Sequence, residues 1–339
     1  MAKYKWAIVG TGIIAGRFAE SMRLVPDAEG TAIVSRKPEK AAEFAEKHGI
    51  RSSYASFSTM LAEARPDIVY IAVPNDLHFA YVMQALNAGV HVLCEKPLAD
   101  NLPQLQLMYK KAEEKNCFLM EGMWTRCFPA IRTLREWIND GEIGRVLHVR
   151  AFFDLKPAPG HMQAWKFGIK HAAGALRHVG IYALAMAFIG FPDYPENVYS
   201  SCLMNDEVDI HCSLLLTYAD GGSCQLSGSL DRVSNHSAEI IGETGRIVVG
   251  PHFWQPSKAV LISEPSEGLP TDQAKFQFDQ PYADFGFQFE IARVQECLRA
   301  GLLECPDFTW RESEDICRLI DQLRQDWGIV YASDHTFSR

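Results

Sequence analysis

The sequence predicts an α/β chain in two parts: a doubly wound parallel sheet, then an α+β domain whose sheet is open and mostly antiparallel. Three observations carry this. Up to about residue 125, short apolar runs alternate with segments of helical spacing, and several of those runs are nearly continuous in Val and Ile, as a sheet covered on both faces requires. Beyond that point strands follow one another with few helices between them.

In chain order, Trp6–Gly10, Thr31–Arg36, Asp67–Val73, His91–Lys96 and Phe118–Gly122 read as the early strands. Between them Gly16–Leu24, Lys40–His48, Leu77–Ala88 and Leu102–Lys115 have helical periodicity. Strand alternating with helix implies parallel pairing through crossovers. A helix over Pro129–Asn139, ending at Gly141, opens the second part. Strands are then expected at Val146–Asp154, Glu196–Met204, Val208–Tyr218, Gly222–Leu230, Ala238–Ile241, Arg246–Val249 and Ala259–Ser263, with Asp220-Gly221-Gly222 as a hairpin turn. One helix at about Gly174–Ile189 interrupts them, and two at about Phe285–Arg299 and Arg311–Gly328 close the chain. The expected domains are residues 1–125 and 126–339, with the helix at about 311–328 able to pack back on the first.

Composition narrows the function. Of 339 residues, 33 are Lys or Arg and 42 Asp or Glu, a formal charge of 33 − 42 = −9, which argues against a general nucleic-acid binder. Apolar residues make up 47% and charged residues 22%, the mixture of a globular enzyme rather than of a disordered chain. The segment from Met1 runs into a glycine turn without a signal-like apolar stretch, and the apolar run Val179–Phe191 reads as too short to cross a bilayer. No membrane is expected. The nine cysteines form no C-x-x-C pair, so they read as reduced thiols of a cytoplasmic protein.

The first strand ends in Gly10-Thr11-Gly12-Ile13-Ile14-Ala15, the G-x-G-x-x-G/A fingerprint of a Rossmann dinucleotide site in its proper strand-to-helix context. Gly10 permits the tight turn, Gly12 lets backbone approach a pyrophosphate, Ala15 allows close helix packing, and the helix amides of Ile13 and Ile14 face the anion. An ordinary strand-to-helix turn is the alternative. The second strand ends in Ser35-Arg36 where an NAD site usually has Asp or Glu; Arg36, with Lys37 beside it, suits a 2′-phosphate, so NADP is favoured over NAD. The alternative is a solvated Arg36 in an NAD enzyme.

Ligands of an open parallel sheet gather beyond the carboxyl ends of its strands. Two such ends carry unusual polar residues: Pro74-Asn75-Asp76-Leu77-His78 and Cys94-Glu95-Lys96-Pro97. Lys96 reads equally as a cation aimed into a cleft and as a strand-end surface lysine.

Together with Gly174-Ala175-Leu176-Arg177-His178-Val179-Gly180-Ile181-Tyr182, these segments resemble the glucose-fructose oxidoreductase, inositol dehydrogenase and rhizopine-catabolism (Gfo/Idh/MocA) family. Glu121-Gly122-Met123-Trp124-Thr125-Arg126, Gly180-Ile181-Tyr182 and Phe253-Trp254-x-Pro256 are similar to its dimeric dihydrodiol dehydrogenase and xylose dehydrogenase branch. The likeness covers nearly the whole chain. It implies an NAD(P)-binding Rossmann domain, a sheet that presents substrate and often mediates homodimers, and hydride transfer at a carbon bearing a sugar, polyol or dihydrodiol hydroxyl, in general without metal. By position it makes Pro74, Asn75, His78, Glu95 and Lys96 cofactor-side residues, Lys96 the active-site lysine, and Tyr182 the general acid/base. A phenol of reference pKa about 10 needs nearby positive charge to serve as a base, and the resemblance offers Lys96 and the nicotinamide for it.

One position departs from the pattern: His178 stands where the family normally has Asp. Three readings follow. His178 is itself the general base, its reference pKa of about 6.5 being near working pH; or it binds a different substrate while Tyr182 keeps its role; or it marks an NADP-binding protein that has lost turnover. Arg177 either binds an acidic substrate or points to solvent. Trp124, Trp165 and Trp254, with Arg126, are candidates for the substrate wall, though core packing would explain any one tryptophan. His161, His171 and His211 are isolated and read as structural or solvent-facing, not as metal ligands. The leading function is thus an NADP-dependent oxidoreductase of a sugar, polyol or diol. Its rivals are a cofactor-retaining glycoside-cleaving enzyme and a non-catalytic NADP-responsive regulator.

Overall fold

The structure, a computed structural model, describes residues 3–158, 168–263 and 273–337. Trp165 and His161 lie outside them. The chain divides into two compact units.

The first unit holds a six-stranded sheet in the order β3-β2-β1-β4-β5-β6, from β1 (Tyr4–Val9), β2 (Ala28–Val34), β3 (Ser52–Tyr54), β4 (Ile68–Ile71), β5 (His91–Glu95) and β6 (Leu119–Gly122). Every pairing is parallel. The helices between are α1 (Ile13–Met22), α2 (Pro38–His48), α3 (Phe57–Ala64), α4 (His78–Asn87) and α5 (Leu102–Lys115). Local sequence explains their ends: Ser56 Oγ accepts from Thr59 N, Asn101 Oδ1 accepts from Gln104 N, and Gly49 closes α2 in the left-handed region. Apolar positions on α1 bury Ala15, Phe18 and Met22, and Phe18 stacks on Tyr70 of β4 with ring centroids 3.6 Å apart. The short pair β3 and α3 lies outside the elements expected from sequence.

The second unit is built on an eight-stranded sheet in the order β14-β13-β12-β11-β7-β10-β9-β8. It begins with α6 (Pro129–Asn139) and β7 (Val146–Asp154); α7 (Ile181–Gly190) follows. Then come β8 (Asn197–Met204), β9 (Asp209–Thr217), β10 (Ser223–Ser229), β11 (Ala238–Gly242), β12 (Gly245–Val249), β13 (Lys258–Ser263) and β14 (Ala274–Asp279). Among the described residues only β7 and β10 pair in parallel in this sheet; the other pairings are antiparallel. The β9–β10 hairpin turns at Gly221 as expected, with Tyr218 N donating to Gly222 O at 3.0 Å. The stretch Ile169–Gly190 is 22 residues and apolar enough to span a bilayer by composition, so the sequence argument from Val179–Phe191 understates its length. Of its most apolar window 89% is buried within the protein, the setting of a core helix.

The closing helices are α8 (Phe287–Arg299), α9 (Trp310–Asp326) and the short α10 (Asp334–Phe337). Here the division expected at residue 125 needs correction, because Ala283–Glu314 and Ser333–Arg339 belong to the first unit and only Thr125–Tyr282 and Asp315–Ala332 to the second. The cause is aromatic packing within the first unit. Phe287 stacks on Trp124 at 4.4 Å, Trp310 stacks on Tyr109 at 4.8 Å, and Trp310 Nε1 donates to Leu119 O. Of the last long helix, only the opening turn therefore joins the first unit.

Candidate active site

The carboxyl edge of the first unit's sheet fits a dinucleotide. Gly10 has φ +107°, and a Cβ there would lie 2.5 Å from Ala72 O, so only glycine allows the first strand to turn this close to the chain leaving β4. At Gly12 the opposite holds: a Cβ would meet nothing within 4 Å, leaving the backbone open to a ligand. Helix α1 follows Gly12, its N-cap, which offers no side-chain cap, so the first amides of the helix remain available to an anion. Ile13 beside them is 65% exposed, an apolar surface suited to a flat ring. At the end of β2, Ser35 Oγ accepts from Lys37 N at 3.3 Å and Ser35 N donates to Tyr54 O, which fixes the turn and leaves Arg36 exposed next to Lys37.

Lys96 is half-buried at the end of β5, in a loop anchored on both sides. Tyr70 Oη donates to Glu95 Oε1 at 2.6 Å. Burial, then the Glu95 carboxylate, push the Tyr70 phenol well above its ordinary range, so it remains a donor. After Lys96, the Pro97 carbonyl stands 2.9 Å from His78 Nδ1 and Leu98 N donates to Glu121 Oε1 at 3.1 Å; Glu121 also accepts from Ser313 Oγ. The Lys96–Pro97 peptide bond is cis. His78 Nε2 in turn faces Val73 O at 2.9 Å. His78 is therefore no surface ligand for a cofactor, since it has no exposed surface and both ring nitrogens face backbone carbonyls. It ties the Pro74-Asn75 turn to the Lys96 loop. Glu95, likewise, directs one carboxylate oxygen to buried Tyr70 rather than outward.

In the second unit, His178 and Tyr182 share one helical stretch. Leu176–Gly180 forms a π-helical turn that passes directly into α7, with His178 N donating to Gly174 O at 2.9 Å. π-turns inside α-helices recur at functional sites. Tyr182 is 8% exposed, and its ring lies 5.6 Å from that of Phe153 on β7. Phe153 stacks on Trp254 at 3.7 Å, and the rings of His236 and His252 stand edge-on to Trp254, each at 5.1 Å. Thr125 Oγ1 donates to Trp254 O at 2.7 Å and holds that loop. Trp254, half-exposed, thus joins Tyr182 in one aromatic cluster. Phe153, His236 and His252 carry no signal in the sequence, because the cluster is assembled from β7, α7 and two loops far apart in the chain.

Other expected substrate residues do not belong to a surface. Arg126 is 1% exposed and donates from Nη2 to Ala185 O at 2.6 Å, so it pins α7 instead of reaching a substrate. Arg177 neither points to solvent nor meets a ligand at the surface; buried, its guanidinium lies over the Tyr331 ring at 5.3 Å. Trp124 is nearly buried in its stack on Phe287, so packing accounts for it.

The chain matches the family model described as an oxidoreductase family with an NAD-binding Rossmann fold over residues 4–123, and the GFO/IDH/MocA C-terminal domain model over residues 131–248. It is 30% identical to trans-1,2-dihydrobenzene-1,2-diol dehydrogenase of Bos taurus, across 97% of this chain and 98% of that one. The chain belongs to the Gfo/Idh/MocA oxidoreductase family. Its first unit is the family's NAD(P)-binding Rossmann domain. Among solved structures, the 3-ketoreductase KijD10 of Actinomadura kijaniata, in complex with NADP and TDP-benzene, is 26% identical with a TM-score of 0.80, covering 95% of this chain and 97% of that one. Aldose-aldose oxidoreductase of Caulobacter crescentus shares the fold at 23% identity and a TM-score of 0.83, covering 95% of this chain and 97% of that one.

Proposed function

We propose that this Gfo/Idh/MocA member is an NADP-dependent oxidoreductase. It interconverts the hydroxyl and carbonyl forms of a sugar, polyol or trans-dihydrodiol carbon. The observation that carries the reading is the fixing of Lys96 between two anchored neighbours, Glu95 by Tyr70 and Pro97 by His78. A lysine held this way is a placed charge, whereas a surface lysine is free to swing.

The nicotinamide supplies the hydride acceptor or donor when bound. Gly10, Gly12 and the first amides of α1 would hold the pyrophosphate of a bound cofactor, and Arg36 would bind its 2′-phosphate. Tyr182 Oη takes the proton of the substrate hydroxyl, or returns it during carbonyl reduction. Lys96 Nζ provides positive charge against the alkoxide that develops as the proton leaves. Trp254 offers a flat apolar face to the ring of the substrate, and His178 stands on the turn before Tyr182 as an imidazole in place of the family's carboxylate.

The same reading puts the enzyme in the cytoplasm, in keeping with nine cysteines that form no disulfide, and assembles it as a homodimer through the open sheet. Tyr199 of β8 is 58% exposed and is paired in register with Leu215 of β9, itself 40% exposed. Absorbance of NADPH with aldoses, inositols and diols tests the function. Oxidation or reduction of any class establishes it; cofactor that stays bound through purification with no net NADPH change points instead to glycoside cleavage by transient oxidation.

A further inference from the structure

The turn carrying Arg177 and His178 into α7 is fastened by a residue of β9. Asp209 is 2% exposed, and its Oδ2 accepts from Leu176 N at 2.6 Å. The amide of Ala175 also bonds to its carboxylate. Gly174, at φ +125°, leads into this turn, and a Cβ there would lie 2.1 Å from Asp209 Oδ1, so the carboxylate fills the space a side chain would need. The first amides of a helix have no acceptor within it, and a carboxylate placed there satisfies them and meets the positive end of the helix dipole.

We propose that Asp209 is a positioning residue of the active site: its buried carboxylate holds the amides that open the π-turn and so sets where His178 and Tyr182 stand. The proposal rests on the reading of Tyr182 as the proton carrier. Burial raises the Asp209 pKa to about 6, against the opposing pull of the Leu176 amide, Arg177 and the Ala175 amide. The charged and titratable groups facing it are Arg177 on the turn, Cys202 of β8 and Cys212 of β9, both thiols pushed up by burial and by Asp209. An ionised carboxylate accepts through both oxygens, while protonation turns one oxygen into a donor and weakens the grip on the amides. Activity therefore falls as pH drops through about 6. Stability moves the other way, because a carboxyl whose pKa is raised by folding binds its proton more tightly in the folded state. Opposite slopes over one pH interval distinguish positioning from simple structural support.

The test uses full-length protein labelled with 15N-leucine and 13C-tyrosine, followed by NMR from about pH 4.5 to about pH 8, with kcat and KM measured alongside. In the wild type the Leu176 amide and Tyr182 ring signals should titrate together near a midpoint of about 6. In Asp209→Asn, which keeps a carbonyl acceptor without the charge, both should be flat. The wild-type kcat should drop roughly tenfold across the midpoint, with NADPH KM little changed, and the variant should lack that limb. Titration of neither signal, of Leu176 without Tyr182, or of both equally in the variant overturns the proposal. A wild type without turnover on any substrate defeats the functional reading, while the two NMR signals still decide the role of Asp209.

Discussion

His78 Nδ1 lies 2.9 Å from the carbonyl oxygen of Pro97, the residue that follows Lys96. Its other ring nitrogen stands the same distance, 2.9 Å, from Val73 O. A carbonyl only accepts, so whichever ring nitrogen carries a proton donates to its partner, and the imidazole joins the loops after β4 and β5 from inside the domain. Replacing His78 by Ala removes the ring N–H and leaves the carbonyl it served unsatisfied in a buried setting. The expected cost is about 1–3 kcal/mol of stability, with turnover lowered about tenfold or more at saturating NADPH. Denaturant titration and steady-state kinetics on the same sample check this; a stable variant with normal kcat would show that the Lys96 loop needs no such tie.

Gly10 and Gly12 should respond differently to the same methyl group. Gly10→Ala forces a left-handed residue against Ala72 O and is expected to destabilise the fold by about 2 kcal/mol or more. Gly12→Ala meets open space and an extended backbone, so it should fold normally yet weaken NADPH binding about tenfold or more. Thermal melts paired with fluorescence titration separate the two effects.

Arg36→Ala should weaken NADPH by about ten- to a hundredfold and NADH by no more than about threefold, the loss of one charge-assisted contact to a phosphate. Equal weakening of both cofactors would mean that Arg36 does not read the 2′-phosphate.

The part of the stability that Asp209 contributes should decline as pH rises from about 4 to about 6 and then level, because its carboxyl has an ordinary pKa of 3.8 and one of about 6 when folded. The full difference is about 3 kcal/mol at 1.36 kcal/mol per unit. Histidines lowered by burial titrate in the same range, so the quantity to follow is the wild-type stability minus that of Asp209→Asn, which urea midpoints should show falling across the interval.

The parallel sheet was legible because β4 and β5 read as apolar runs and because Gly10-x-Gly12 follows a strand. The early helices were legible from their spacing. Other features rest on contacts between distant parts of the chain. Strand β14 is exposed along almost its whole length and so shows no apolar alternation, and β3 has three residues. Phe287 joins the first unit through a ring that precedes it by more than a domain's length in sequence, Trp124, which no local pattern announces. At the candidate site, residue type alone left Lys96 balanced between a cleft and the surface, and the family resemblance is what singled out Lys96, His178 and Tyr182. The site was not legible where burial decides the role: Arg126 and Arg177 are charged residues whose partners lie inside the fold, and Asp209 acquires meaning only from Leu176 across a strand.

The most direct measurement of the central claim compares wild type with Tyr182→Phe for NADPH affinity and for turnover on aldoses, inositols and diols. The expected result is wild-type turnover on at least one class, a loss of about a hundredfold or more in kcat for the variant, and unchanged NADPH binding. Tight NADPH binding by a wild type that turns over nothing, or a variant that keeps its rate, would contradict an oxidoreductase with Tyr182 as its proton carrier.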